Sequence, residues 1–281
     1  MLKMFKNFVF ISVMAILITG ITFAGGINES DLTSWEKHYN RKEILEAENW
    51  GTHVLLTETS DIRVGTFNYG KEKPVDIYYP PDMDFKESKP VLILVGLSDI
   101  ETNRDYGVPY RHTGQAIGWA QSAAELGFVV LAHSTGSSPV NDLVALVKWI
   151  RTKGKKYGLD GNKIGIWASS DACDIAIRSL RPDNNGFPKP SAIFAVFYYG
   201  NLTAYSGQDP EVPTLIVTAD QDSWIDMAKI DKFIIKMREK GSSITHLRHT
   251  TGRHAFEVGQ DSPETRNILD QTFSFMLKHI E

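Results

Sequence analysis

Residues 164–177 read IGIWASSDACDIAI. An apolar run stops at the pair Ser169 and Ser170, and a helical period begins at once with Cys173, Ala176 and Ile177. A buried strand that turns directly into a helix belongs to parallel α/β architecture. At such a turn the hydroxyl of Ser170 would stand above the sheet, with a helix N-terminus aimed at the same point. The turn is tight and needs small neighbours. Here they are Ala168 and Ala172, where glycine is usual, at a cost of one methyl each. Alone the motif is weak, because serine is a common helix N-cap for structural reasons.

Working outward, short apolar runs recur at 90–95 (PVLILV), 127–133 (GFVVLAH), 162–168 (NKIGIWA), 191–200 (SAIFAVFYYG) and 213–219 (PTLIVTA). Nearly continuous apolar runs of this length fit strands covered on both faces. Helical-period stretches separate them at 113–127, 141–158, 171–180 and 224–241. Residues 243–249 (SITHLRH) read as a last strand, and 263–281 as a closing helix. Earlier strands are expected at 53–62 and 74–80. The alternation predicts a doubly wound, mostly parallel sheet with helices on both faces. Only 201–212 separates two of the strands, which leaves no room for a large cap.

The chain has 281 residues, 42% hydrophobic and 23% charged, with a formal charge of −4. No basic cluster exceeds the short run Lys153 to Lys156, so nucleic acid is a poor partner. The first residues carry Lys3 and Lys6, then an apolar run from Phe8 to Ile18, then small residues with Thr22 and Ala24 at cleavage spacing. That order reads as a signal peptide over 1–24, with a retained membrane anchor as the rival. Residues 25–281 are then a single exported domain, periplasmic or extracellular. Cys173 is the only cysteine, so the domain has no internal disulfide and must rely on its core.

In open parallel sheets, sites lie beyond the carboxyl ends of the strands. No glycine-rich dinucleotide fingerprint and no phosphate loop stands there. Asp222 follows the strand at 213–219, with Asp220 and Asp226 as local competitors. His254 follows the last strand in a loop introduced by Gly252. His246 and His249 lie within the strand pattern, and His112 and His133 fall out of order. Ser170, Asp222 and His254 thus each follow a strand, in the chain order of an α/β-hydrolase triad.

The stretches VDIYYPP (75–81), the run from Asn141 to Ala172, PTLIVTADQD (213–222) and GRHAFEVGQDSPETRNILDQTFSFMLKHI (252–280) resemble the secreted α/β-hydrolases of the dienelactone-hydrolase and carboxylesterase type. The resemblance covers the chain from about residue 75 to the end. It implies an α/β-hydrolase fold, a serine esterase acting on a small-molecule carboxylic ester, and no metal or organic cofactor. It assigns the catalytic triad to Ser170, Asp222 and His254. Related enzymes often carry His-Gly after the third strand, where this chain has VGLSD (95–99). The expected oxyanion donors are therefore backbone N–H groups of Asp171 and Leu97, with Ser98 as substitute.

The stretch 98–115 reads as a long loop and pocket wall. In it Arg104, Tyr106, Tyr110 and Arg111 are candidate contacts for a polar or anionic substrate. Trp224, beside the acid loop, is a further candidate for substrate binding. Two other readings stand beside the esterase: a serine peptidase of the same fold, and a catalytically silent binding protein supported by the alanine-flanked turn and the missing oxyanion histidine.

Overall fold

The computed structural model describes residues 27, 29–34, 61–180, 192–202 and 212–281. The expected leader and nearly all of the strand expected at 53–62 lie outside them. Among the described residues nine strands form one sheet: β1 (Thr33–Ser34), β2 (Arg63–Gly70), β3 (Lys73–Tyr79), β4 (Lys89–Ser98), β5 (Val129–Thr135), β6 (Leu159–Ser169), β7 (Phe194–Tyr198), β8 (Thr214–Ala219) and β9 (Ile244–His249). Their spatial order is β1-β2-β3-β5-β4-β6-β7-β8-β9. β1, β2, β3 and β5 pair antiparallel in succession, and every pairing from β5 to β9 is parallel.

Side chains of each central strand alternate between two cores. Val91, Ile93 and Val95 of β4, with Val129 and Leu131 of β5, face one layer of helices: α3 (Pro139–Lys153), α4 (Ala172–Ser179) and α5 (Met227–Glu239). Leu92 and Leu94 of β4, with Val130 and Ala132 of β5, face the other: α2 (Gly114–Glu125) and α6 (Pro263–Lys278). This two-sided burial is why the strands read as unbroken apolar runs. Each buried Leu or Ile contributes about 1.5–3 kcal/mol. A Leu94→Ala change would cost about 2–5 kcal/mol through the cavity it leaves. Among the described residues no helix is long and apolar enough to cross a membrane.

Two sequence expectations change. β2 was not anticipated. It lies beside the two-residue β1, and its burial is broken by exposed positions, so Gly65, Asn68 and Gly70 obscure its pattern. The stretch 98–115 is also not a loop. It folds as a helix, α1 (Asp99–Tyr106), and a 3₁₀ turn, Tyr110–His112. Ser98 caps α1 by accepting from the Glu101 N–H, while the Glu101 carboxylate accepts from Ser98 in return. This is the S-x-x-E capping box, present in the sequence as SDIE.

Candidate active site

The carboxyl ends of β4, β6, β7, β8 and β9 converge on one cavity of about 490 Å³. At the end of β6, Ser170 takes a left-handed conformation, φ +50°. Its N–H donates to the Tyr198 carbonyl at 3.0 Å, and its own carbonyl accepts from Cys173 N–H at 3.1 Å. A non-glycine residue held at positive φ is strained and persists only where surrounding structure imposes it. Clearance beside this turn comes from the neighbouring connection. A Cβ on Gly200 would lie 2.4 Å from Cys173 Sγ and 3.3 Å from the Ser170 carbonyl oxygen. Glycine at 200 thus lets the connection after β7 pass close to Ser170 and Cys173.

His254 lies between Ser170 and Asp222. Its Nε2 is 3.0 Å from Ser170 Oγ, and its Nδ1 is 2.7 Å from Asp222 Oδ2. An ionised carboxylate only accepts, so Nδ1 carries the proton and Nε2 is left to accept from the serine hydroxyl. The Asp222 carboxylate is almost wholly buried. Its second oxygen accepts from the N–H groups of Trp224, 2.8 Å, and Ile225, 3.2 Å. The loops carrying acid and histidine are joined by Gln221 N–H donating to the Gly252 carbonyl at 2.9 Å.

The other candidates have other partners. Asp220 pairs with Arg248, and Asp226 caps α5 by accepting from Lys229 N–H. His112 faces Asp76, His133 meets the Tyr69 hydroxyl, His246 meets Thr218, and His249 meets Thr265. Cys173 is fully buried, and burial pushes its thiol well above the ordinary range.

Of the expected oxyanion donors, Asp171 and Leu97 both line the cavity. Asp171 N–H donates to no acceptor among the described residues. Leu97 lies in a bulge: the β4–β5 register shifts between Val95 and Ser98, and the β4–β6 pairing ends at Val95. Bulges of this kind re-aim backbone groups next to sites. Ser98 is corrected. Its N–H donates to the Glu101 carboxylate at 3.3 Å and its hydroxyl does so at 2.7 Å, so it has no donor to offer.

Among the expected substrate contacts, Tyr110 and Trp224 line the cavity. Tyr110 is buried against Gly96, and its hydroxyl has no protein partner among the described residues. Burial raises its pKa beyond the usual phenol range. Trp224 is 71% exposed, with its ring centroid 4.6 Å from that of His254. The side chains of Tyr106 and Arg104 lie outside the described part. Arg111 is corrected as a substrate contact, because its guanidinium is held by Asp99 at 2.9 Å and Asp76 at 3.5 Å.

Three buried residues that sequence reasoning did not select meet behind the serine. Gln115 Nε2 donates to Tyr199 Oη at 2.7 Å and to Glu257 Oε1 at 2.9 Å. Tyr199 Oη donates to the same Glu257 oxygen at 2.6 Å. Ser169 Oγ donates to Gln115 Oε1 at 3.4 Å. Burial raises the Glu257 pKa, opposed by these hydrogen bonds. A visible signal was the glutamate set between Phe256 and Val258, both buried.

No family model matches the chain, and no curated protein matches it. Solved structures do. Esterase 2 of Thermogutta terrifontis, phosphoramylated by tabun, superposes with a TM-score of 0.59 at 13% identity, covering 76% of this chain and 94% of that one. Its butyrate-bound form gives a TM-score of 0.57 at 13% identity, over 76% of this chain and 94% of that one. Its apo form gives 0.56 at 13% identity, over 79% and 96%. Together with the mostly parallel sheet, the likeness establishes an α/β-hydrolase fold.

Proposed function

We propose that the protein is a serine hydrolase of small carboxylic esters. One observation carries the reading: the hydrogen-bonded chain Ser170–His254–Asp222 at a strained turn on the wall of a cavity. In this mechanism His254 Nε2 takes the Ser170 proton as Oγ attacks the ester carbonyl. Asp222 keeps the proton on Nδ1 and stabilises the imidazolium. The N–H groups of Asp171 and Leu97 hold the oxyanion, each worth about 3 kcal/mol in a dry site. His254 then protonates the departing alkoxide, leaving Ser170 acylated. A water molecule, deprotonated by the same imidazole, releases the acid.

The cavity size fits a small molecule, within the roughly 300–1,000 Å³ usual for such sites. Its lining disfavours an anionic substrate. Thr102 and Thr113 hydroxyls donate to main-chain carbonyls, and the Gln115 amide is fully engaged. Asp171 is exposed and lines the cavity, and Arg111 is bound elsewhere. Esterase 2 of Thermogutta terrifontis, which shares the fold, has been obtained phosphorylated by paraoxon and bound to butyrate. That supports short acyl esters here. The silent-binder reading leans on the alanine-flanked turn and on the missing oxyanion histidine, whereas the hydrogen-bonded Ser170–His254–Asp222 chain supports catalysis. The order of charged, apolar and small residues in 1–24 supports export of the chain, which N-terminal sequencing of secreted material would test.

The test is hydrolysis of p-nitrophenyl acetate and butyrate by the purified protein. Turnover that disappears in Ser170→Ala is expected. Equal rates in both proteins would remove Ser170 from the reaction.

A further inference from the structure

The fold holds three non-glycine residues at positive φ around the site: Ser170 at +50°, Tyr199 at +36° and Ala255 at +57°. They follow β6, β7 and His254 respectively. Each such residue costs on the order of 1–3 kcal/mol and needs surrounding structure to impose it. The buried cluster supplies a tie between all three. Ser169 precedes Ser170, Tyr199 is itself strained, and Glu257 lies two residues after Ala255. Gln115, at the start of α2, joins them.

We infer that Glu257 is a positioning residue for the reaction: by accepting from Tyr199 and Gln115 it fixes the Ser170 turn and the His254 ring relative to each other. The route to the histidine is short. The Tyr199 ring centroid lies 4.6 Å from that of His254, and the Tyr199 hydroxyl is 2.6 Å from Glu257 Oε1. The route to the serine runs through Gln115 to Ser169. Packing alone does not call for a carboxyl here. Apolar replacement of buried charged groups is often neutral or stabilising, and the best-attested use of such groups is to fix register. Glu257 is fully buried and accepts from two separate segments of the chain, which is that kind of use.

The inference rests on the serine-hydrolase reading, and one set of variants separates the two. Wild type, Glu257→Ala, Glu257→Gln and Tyr199→Phe are compared for kcat and KM on p-nitrophenyl acetate and for the rate of fluorophosphonate labelling. Circular dichroism checks that each is folded at the assay temperature. Small misplacements of reacting groups can cost 10²-fold, so Glu257→Ala and Tyr199→Phe are expected to lose about 30–100-fold in kcat and in labelling rate. KM of the Glu257 variants should stay within about threefold, since Glu257 does not line the cavity. Glu257→Gln keeps the acceptor oxygen and should recover most of the loss. Tyr199→Phe keeps the ring beside His254 and carries the test if Glu257→Ala does not fold. A folded variant that labels and turns over at the wild-type rate would overturn the inference. So would a loss confined to KM, or a Glu257→Gln as slow as Glu257→Ala. Wild type that neither labels nor hydrolyses would instead overturn the serine-hydrolase reading itself.

Discussion

Gly96 packs directly against the Tyr110 ring: a Cβ on Gly96 would lie 1.9 Å from it. Gly96 precedes Leu97, a proposed oxyanion donor, so the same contact sets the strand end and seats the ring in the cavity wall. Gly96→Ala must displace the ring or the strand. Overpacking of this kind costs about 1–3 kcal/mol. A lowered Tm together with reduced esterase activity is the expected outcome, read by thermal melts and p-nitrophenyl acetate turnover.

Asp222 divides its two oxygens between tasks, Oδ2 to His254 and Oδ1 to the N–H groups of Trp224 and Ile225. Asparagine has one acceptor oxygen and can serve only one of them. Asp222→Asn should therefore lower kcat by about 10³–10⁴-fold, as loss of the correct histidine tautomer does elsewhere. Steady-state kinetics at saturating substrate would check it.

Trp224 covers one face of the His254 ring and leaves the rest of its own surface to solvent. Because His254 protonates the leaving group in the proposed mechanism, the indole flanks the alcohol side. Trp224→Ala should raise KM for aryl esters by about 3–10-fold, the worth of one aromatic contact, and less for methyl esters of the same acid. Paired KM measurements on the two ester types would read the difference.

His133 is fully buried on β5 with Nε2 at 2.9 Å from the Tyr69 hydroxyl. Burial lowers its pKa from 6.5 to about 4, against the weaker raising effects of Asp142 and Asp99. Between those two pH values the unfolded chain holds the extra proton, so stability falls as the pH drops through that window. Above pH 6.5 the contribution is complete, and below about 4 no more is lost. The full effect is about 3 kcal/mol. Denaturant melts at pH 7 and pH 4.5 should show a smaller difference for His133→Gln than for wild type.

The parts of the molecule that were legible in the sequence are those whose signal is local and apolar. β4 through β8 read clearly because both faces are buried along most of each strand, whereas the edge strand β9 keeps exposed positions; Ser170, Asp222 and His254 stand just beyond strand ends, where the fold gathers side chains. β2 was illegible because its pattern is broken by glycines and exposed positions. α1 was read as loop although Ser98 and Glu101 spelled its cap, and the same cap removes Ser98 from the oxyanion donors. Gln115, Tyr199 and Glu257 could not be linked by spacing. They are 84 and 58 positions apart along the chain, and only the folded sheet brings them to one point.

The most direct test of the central claim is fluorophosphonate labelling of the purified protein, with the modified residue located by mass spectrometry and Ser170→Ala run alongside. An activated serine predicts one adduct, on Ser170, that is absent from the variant and prevented by prior acid unfolding. A folded protein that takes no label, or takes it equally in the variant, would contradict the account.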